Sequence, residues 1–203
     1  MRQPHRQDAA AGLPPCDPMH DMQAEAGTPL THAPTPSTVR PRRRTVVVLG
    51  LAAGWVVLDQ LTKVWAERAL TQGEPVQAVG DLLRWHLTYN SGAAFSMGTS
   101  LTPVITVVGT VISVAVVWLA FRVRSLPWAV ALGLLLGGAV GNQIDRYLRE
   151  PGPLFGHVVD FIRLPNFAIF NVADIGVTSA AVLIGILALR GLRLDGTREG
   201  QEP

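Results

Sequence analysis

One cysteine, Cys16, stands in a chain of 203 residues. Without a second thiol there is no internal disulfide framework, and a four-cysteine zinc site is excluded as well. Charge is also scarce: 16% of residues are Asp, Glu, Lys or Arg, where an ordinary soluble domain carries about 25%. The net charge of +2 is too small to imply a nucleic-acid partner, and the arginines lie beside apolar runs rather than along a basic face. What the chain has instead is apolar surface, 48% of its residues being hydrophobic. That balance points to a membrane protein held together by packing in lipid.

Residues 1–40 contain about half of the 15 prolines and almost no apolar periodicity, so they are expected to form a disordered tail. The tail has no continuous apolar h-region and does not read as a signal peptide. For the same reason Cys16 in "LPPC" reads as an incidental cysteine rather than an acylation site. Four apolar stretches follow, at 45–66, 101–121, 126–144 and 172–189. Each is near the roughly 20 residues needed to cross a hydrocarbon core. A backbone in lipid must satisfy its own hydrogen bonds, so all four are expected to be helices.

The arginines orient the spans. Arg40 to Arg44 precede the first, Arg122 and Arg124 fill the short link between the second and third, and Arg190, Arg193 and Arg198 follow the fourth. The positive-inside rule makes these ends cytoplasmic, with both termini inside and the two longer loops, 67–100 and 145–171, outside. In the first outer loop Leu83, Trp85, Leu87 and Tyr89 alternate with Arg84, His86 and Thr88, which predicts a strand with one buried face. "HVVDFIRL" in the second outer loop predicts another short extended piece. The expected fold class is therefore an all-α membrane protein, four transmembrane helices with a small extracytoplasmic β element.

Ionisable residues at span ends are costly and usually face a cavity or a partner. Asp59 and Lys63 stand four apart, on one helix face, and read at least as readily as a structural ion pair as a catalytic one. Asn142, Asp145 and Arg146 share a face of the third span, with Asp145 and Arg146 readable as a helix-end ion pair. Gly133, Gly137 and Gly141, every fourth residue, permit close helix approach. At the fourth span Asn171 is placed to cap the helix, and Asp174 falls in its first turn, where the macrodipole favours an acid. Asp160 lies fourteen residues upstream among Val158, Val159, Phe161 and Ile162, an apolar setting that raises a carboxyl's pKa. Brought together, two such carboxyls would supply a general acid and a general base near neutral pH. Two rival chemistries draw on the same residues. A metal hydrolase would recruit His86 and His157, although neither belongs to an HExxH pattern. A proton relay would use the acids as a path, although they cluster on one side of the membrane.

The blocks "DQLTK" (59–63), "NSGAAFSM" (90–97), "GGAVGNQIDR" (137–146), "VVDFI" (158–162) and "FNVADIG" (170–176) occur in that order at the ends of the spans. Over 45–189 the chain resembles lipoprotein signal peptidase, the bacterial signal peptidase II. The stretch "YLREPGPLFGH" (147–157) is longer than expected in that family and reads as an inserted turn. The resemblance implies an aspartic endopeptidase of the inner membrane that removes signal peptides from diacylglyceryl-modified prolipoproteins, cutting before the lipidated cysteine. It implies Asp160 and Asp174 as the catalytic pair, Asn90, Asn142, Arg146 and Asn171 as substrate-binding residues, and Asp145 as a supporting acid beside Asp59 and Lys63. No metal or cofactor is expected, and the partners are the prolipoproteins and membrane lipid, with the enzyme a monomer. Phe95 either shields the cleft or packs its loop on the membrane. The expected organisation is a tail over 1–40, a four-helix transmembrane peptidase domain over 41–193 and a flexible C-terminal tail over 194–203.

Overall fold

A computed structural model describes residues 42–92 and 101–198. The tail expected over 1–40, with Cys16, and also Phe95 lie outside the described residues. The elements run α1 (Arg42–Ala69), β1 (Val76–Val79), β2 (Leu83–Asn90), α2 (Thr102–Ala120), α3 (Leu126–Leu148), β3 (Val158–Arg163) and α4 (Val172–Leu189). All four helices are long and apolar enough to cross a membrane, and the small β element is a three-stranded sheet in the order β1-β2-β3.

Two helices outrun their apolar stretches. α1 continues through Glu67, Arg68 and Ala69, good helix formers with no breaker before the turn at Gly73. α3 continues past Ile144 to Leu148 because its polar end finds partners inside the protein, as described below. Pro103 and Pro127 sit in the first turns of α2 and α3, where a missing N–H costs nothing. α4 starts with a reciprocal cap: Asn171 Oδ1 accepts from the Asp174 amide at 3.1 Å, and Asp174 Oδ2 accepts from the Asn171 amide at 3.2 Å.

α3 is the central helix, packed on α1, α2 and α4. The glycine stripe is what lets α1 approach. A methyl group on Gly137 would lie 2.7 Å from Trp55 Cβ, and one on Gly141 would lie 2.7 Å from the Asp59 carboxylate. On the next face Gly138 lies against Ala173 and Val177 of α4. Glycine is therefore required here for proximity, as its spacing predicted.

The two ends of the bundle differ in chemistry. One holds an apolar core of Val48, Ala52, Val116, Ala120, Val123, Ala129, Leu132 and Leu136, with Trp128 and Leu194 packed on it. At this end Thr45 Oγ1 donates to the Ala120 carbonyl at 2.7 Å, and Arg122 stacks over the Trp118 ring at 3.7 Å. The segment after α4, expected to trail off from 194, is instead tied down through Arg198. The Leu194 carbonyl accepts from the amides of Arg124 and Ser125, Trp128 Nε1 donates to the Leu192 carbonyl, and Leu192 bridges Arg198. At the other end the sheet seats on α1 through Ala66, Leu87, Val159 and Phe161, with Trp65, Trp85 and Phe161 stacked edge to face or tilted.

The sheet departs from simple alternation. β1, an exposed strand bounded by Gly73 and Gly80, was not anticipated, although a short β-rich run between two glycines is a hairpin signal. Between β2 and β3 the register slips: Trp85 faces Ile162, but Thr88 faces Asp160 and Asn90 faces Val158. The extra residue on β2 is a bulge, and it re-aims the side chains beyond it. Leu87 is buried as expected, whereas Tyr89 is exposed. Beyond β3 the chain turns at Leu164 to Phe167, with Asn166 in the left-handed region that asparagine tolerates. It then returns so that Phe170 and Ile162 exchange both backbone hydrogen bonds, at 2.8 and 3.0 Å. This return carries Asn171 back beside Asp160.

Candidate active site

Three chain segments distant in sequence meet at the sheet end of the bundle: the last third of α1, the end of α3 and the start of α4. The sheet covers them. Asp160 is buried on β3, and both of its oxygens are engaged. Oδ2 accepts from Asn90 Nδ2 at 2.9 Å and Oδ1 from Asn171 Nδ2 at 2.6 Å. The bulge makes the first bond available, because Asn90 lies two positions along β2 from the residue facing Asp160. Asp174 is less buried, and its Oδ1 accepts from Asn142 Nδ2 at 2.8 Å. Asn171 joins the two acids. Its side chain donates to Asp160 and, at 3.2 Å, to Asn142 Oδ1, while its backbone amide donates to Asp174.

Burial, and then the nearby negative charge of Asp174, push the Asp160 carboxyl up to about 7, against the pull of Asn90, Asn171 and Lys63. The apolar neighbours noted in the sequence supply the first cause. The second comes from the other acid, which Asn171 links to it, a proximity that sequence could not establish.

Beneath this pair lies a buried ionic cluster. Lys63 spends all three of its N–H groups on Asp59 Oδ2 at 2.8 Å, Asp145 Oδ2 at 2.7 Å and Asn142 Oδ1 at 3.1 Å. Asp145 also takes Arg149 Nε at 2.7 Å, and Arg149 in turn pairs with Glu67. The expected Asp59–Lys63 pair is thus present but belongs to a larger set. The alternative pairing of Asp145 with Arg146 is corrected. Asp145 turns to Lys63 and Arg149, whereas Arg146 Nη1 donates to the carbonyls of Asn90 at 3.0 Å and Gly156 at 2.8 Å. A residue on a helix bonds across to its i−4 or i+4 neighbour more readily than to the next in sequence.

Asp59 Oδ1 accepts from the Ala173 amide at 2.8 Å, and Trp55 Nε1 donates to the Val172 carbonyl at 3.1 Å, so α1 fixes the start of α4 directly. Gln60 bridges Asp59 Oδ2 and the Gly141 carbonyl, both at 3.1 Å. Gln60 and Trp55 were missed as site residues. Gln60 carried a signal, as a polar residue beside Asp59 in an apolar run, while Trp55 carried none. Glu67, which pairs with Arg149 and accepts from Tyr89 at 3.4 Å, was also missed.

The nine residues singled out in the sequence therefore converge, Asn90 and Arg146 through backbone as well as side chain. The histidines do not join them. His86 Nδ1 accepts from Arg163 at 2.9 Å, and His157 lines a separate cleft beside Glu67, Tyr89 and Arg149. Among the described residues no three His, Cys, Asp or Glu side chains are grouped to hold a metal ion. The opposite end of the bundle is an apolar core.

Known proteins resemble this chain over most of its length. The family model for signal peptidase (SPase) II matches residues 51–190. A lipoprotein signal peptidase of Mycolicibacterium smegmatis is 46% identical over 179 residues, covering 87% of this chain and 76% of its own. That of Mycobacterium avium is 47% identical over 165 residues, covering 80% of this chain and 91% of its own. A bacterial membrane enzyme determined by the in meso method at 2.3 Å resolution shares the fold with a TM-score of 0.64 and 28% identity, over 77% of this chain and 93% of its own. A second, at 1.9 Å resolution, gives 0.63 and 30%, over 70% and 92%. Matched by that family model over residues 51–190 and by relatives of 46% and 47% identity, the chain belongs to the signal peptidase II family.

Proposed function

We propose that the chain is an aspartic endopeptidase that removes signal peptides from diacylglyceryl-modified prolipoproteins, with Asp160 and Asp174 as its working pair. The observation that carries this is Asn171, which bonds both acids at once and so holds two carboxyls in one electrostatic unit. Asp160, pushed up to about 7, is protonated in roughly half of the molecules at neutral pH and in that form serves as the acid toward the scissile carbonyl. Asp174 takes the proton from a water set between them. Water adds to the carbonyl carbon; the tetrahedral adduct then collapses, the C–N bond breaks, and the proton taken by Asp174 passes to the leaving amine.

Asn90, Asn142 and Asn171 position the carboxyls; Asn90 and Asn142 each keep an N–H that substrate backbone can use, while Asn171 has both of its N–H groups committed and keeps one acceptor lone pair. Arg146 holds the β2 end and the Gly156 loop in place, which leaves part of its guanidinium for the substrate. The substrate's signal helix and diacylglyceryl chains lie in the bilayer beside the four spans. Lipid thus orients both reactants and lowers the entropic part of the barrier. The enzyme works as a monomer in the cell membrane, with both termini cytoplasmic and the acids at the outer face.

The test is incubation of purified protein with a diacylglyceryl-modified proprotein and an unlipidated control. Cleavage is expected of the first alone. Asp160→Asn and Asp174→Asn should each abolish it, by at least about a thousandfold, while the protein still inserts and melts cooperatively. Near-normal turnover by either variant overturns the pair.

A further inference from the structure

We propose that the cleft at the rim of the sheet, walled by Arg84 and Arg163, binds the phosphate of an anionic bilayer phospholipid. The two arginines are register partners on adjacent antiparallel strands. Like charges directly opposite destabilise a strand pair, so this arrangement calls for a counter-charge. The protein supplies little of one. Asp81 takes Arg84 Nη2 at 2.6 Å, but its side chain is 85% exposed, and an exposed pair contributes little. Arg163 Nη1 donates to His86 Nδ1, and an imidazole that accepts from arginine brings no negative charge. Arg84 Nε is buried and has no hydrogen-bond partner. A guanidinium fork with open donors is the geometry that phosphate oxygens fill.

The cleft between these arginines and the turn from Leu164 to Phe167 has a volume of about 440 Å³, within the range of roughly 300–1,000 Å³ that small-ligand sites occupy. Its surroundings select a lipid over a free anion. Phe167 in its lining is 64% exposed, and Val79 and Leu82 in the turn that leads to Arg84 are 58% and 66% exposed, apolar side chains that lipid would cover. Apolar groups flanking a basic pair are the pattern of a surface seated among headgroups.

Native mass spectrometry of the full-length protein in neutral detergent, titrated with dioleoyl phosphatidylglycerol, tests this. The wild type should retain the lipid about tenfold more tightly than Arg84→Gln/Arg163→Gln, and Asp81→Asn should tighten retention. Dioleoylglycerol, with the same chains and no phosphate, should not compete. Arg163→Gln alone should melt higher than the wild type without lipid and lose the stabilisation that phosphatidylglycerol gives. Cleavage of the proprotein confirms that each variant is folded, and Arg84→Lys and Arg163→Lys provide charge-retaining versions if the glutamines do not fold. Equal retention by the double variant, equal competition by dioleoylglycerol, or filling of the site by inorganic phosphate alone overturns the proposal.

Discussion

Asp160 holds its proton because its surroundings make ionisation costly, and that has consequences at two levels. In the folded protein its carboxyl titrates at about 7, against 3.8 for the ordinary side chain. The folded state therefore binds this proton more tightly than the unfolded chain, so stability is greatest at low pH. It is lost as pH rises from about 4 to 7, by on the order of 4 kcal/mol for this group alone. Chemical denaturation across that range should show the slope in the wild type and a flatter profile in Asp160→Asn. Activity follows the same proton: cleavage should fall above about pH 7 as the acid is lost. Asn90 donates to Asp160 and favours its ionised form. Asn90→Ala should accordingly move the alkaline limb of kcat/KM to higher pH while lowering the plateau. An unchanged limb would mean that some other group sets it.

Among the elements, α3 depends most on its partners, because its polar end is affordable only inside a complete cluster. Lys63→Met leaves Asp59 and Asp145 buried with one base fewer, and breaking a buried pair in this way costs roughly 3–5 kcal/mol. Thermal unfolding in detergent should show that loss, and adding Asp59→Asn should recover part of it by removing one of the two carboxylates left without Lys63. The same cluster marks where sequence was legible and where it was not. Spacing alone put Asp59 with Lys63 and Asn171 with Asp174, because contacts within one helix turn are fixed by its period. The glycine stripe likewise announced a close neighbour but not which one: Gly133 and Gly137 lie against α1, and Gly141 against both Asp59 of α1 and Ala173 of α4. Contacts between segments were beyond reach. Nothing local says that Lys63 meets Asp145, that Arg146 ignores the acid beside it, or that a bulge after Trp85 turns Asn90 toward Asp160. These depend on how the spans and the sheet are docked, and pattern within a span is silent on that. β1 went unseen because, exposed along its whole length, it has no buried face to produce alternation.

For the whole molecule, the division into an apolar end flanked by arginines and a polar end roofed by the sheet predicts an orientation in the membrane. In a Cys16→Ser background, a membrane-impermeant maleimide should label Glu74→Cys in intact cells and Arg122→Cys only after permeabilisation. Both positions are exposed on the protein, so access is limited by the bilayer rather than by burial. The reverse pattern would place the acids in the cytoplasm and separate them from an outer-face substrate.

The bond from Asp59 to the Ala173 amide, 114 residues away, also bears on biosynthesis. The first span enters the bilayer while the helix that will complete its cluster is still being translated, with only Lys63 one turn away to neutralise its acid. Of the two proposed acids, Asp174 arrives with the final span. A nascent chain thus lacks one of the two acids until synthesis is nearly over, so the proposed site is completed only with the last span.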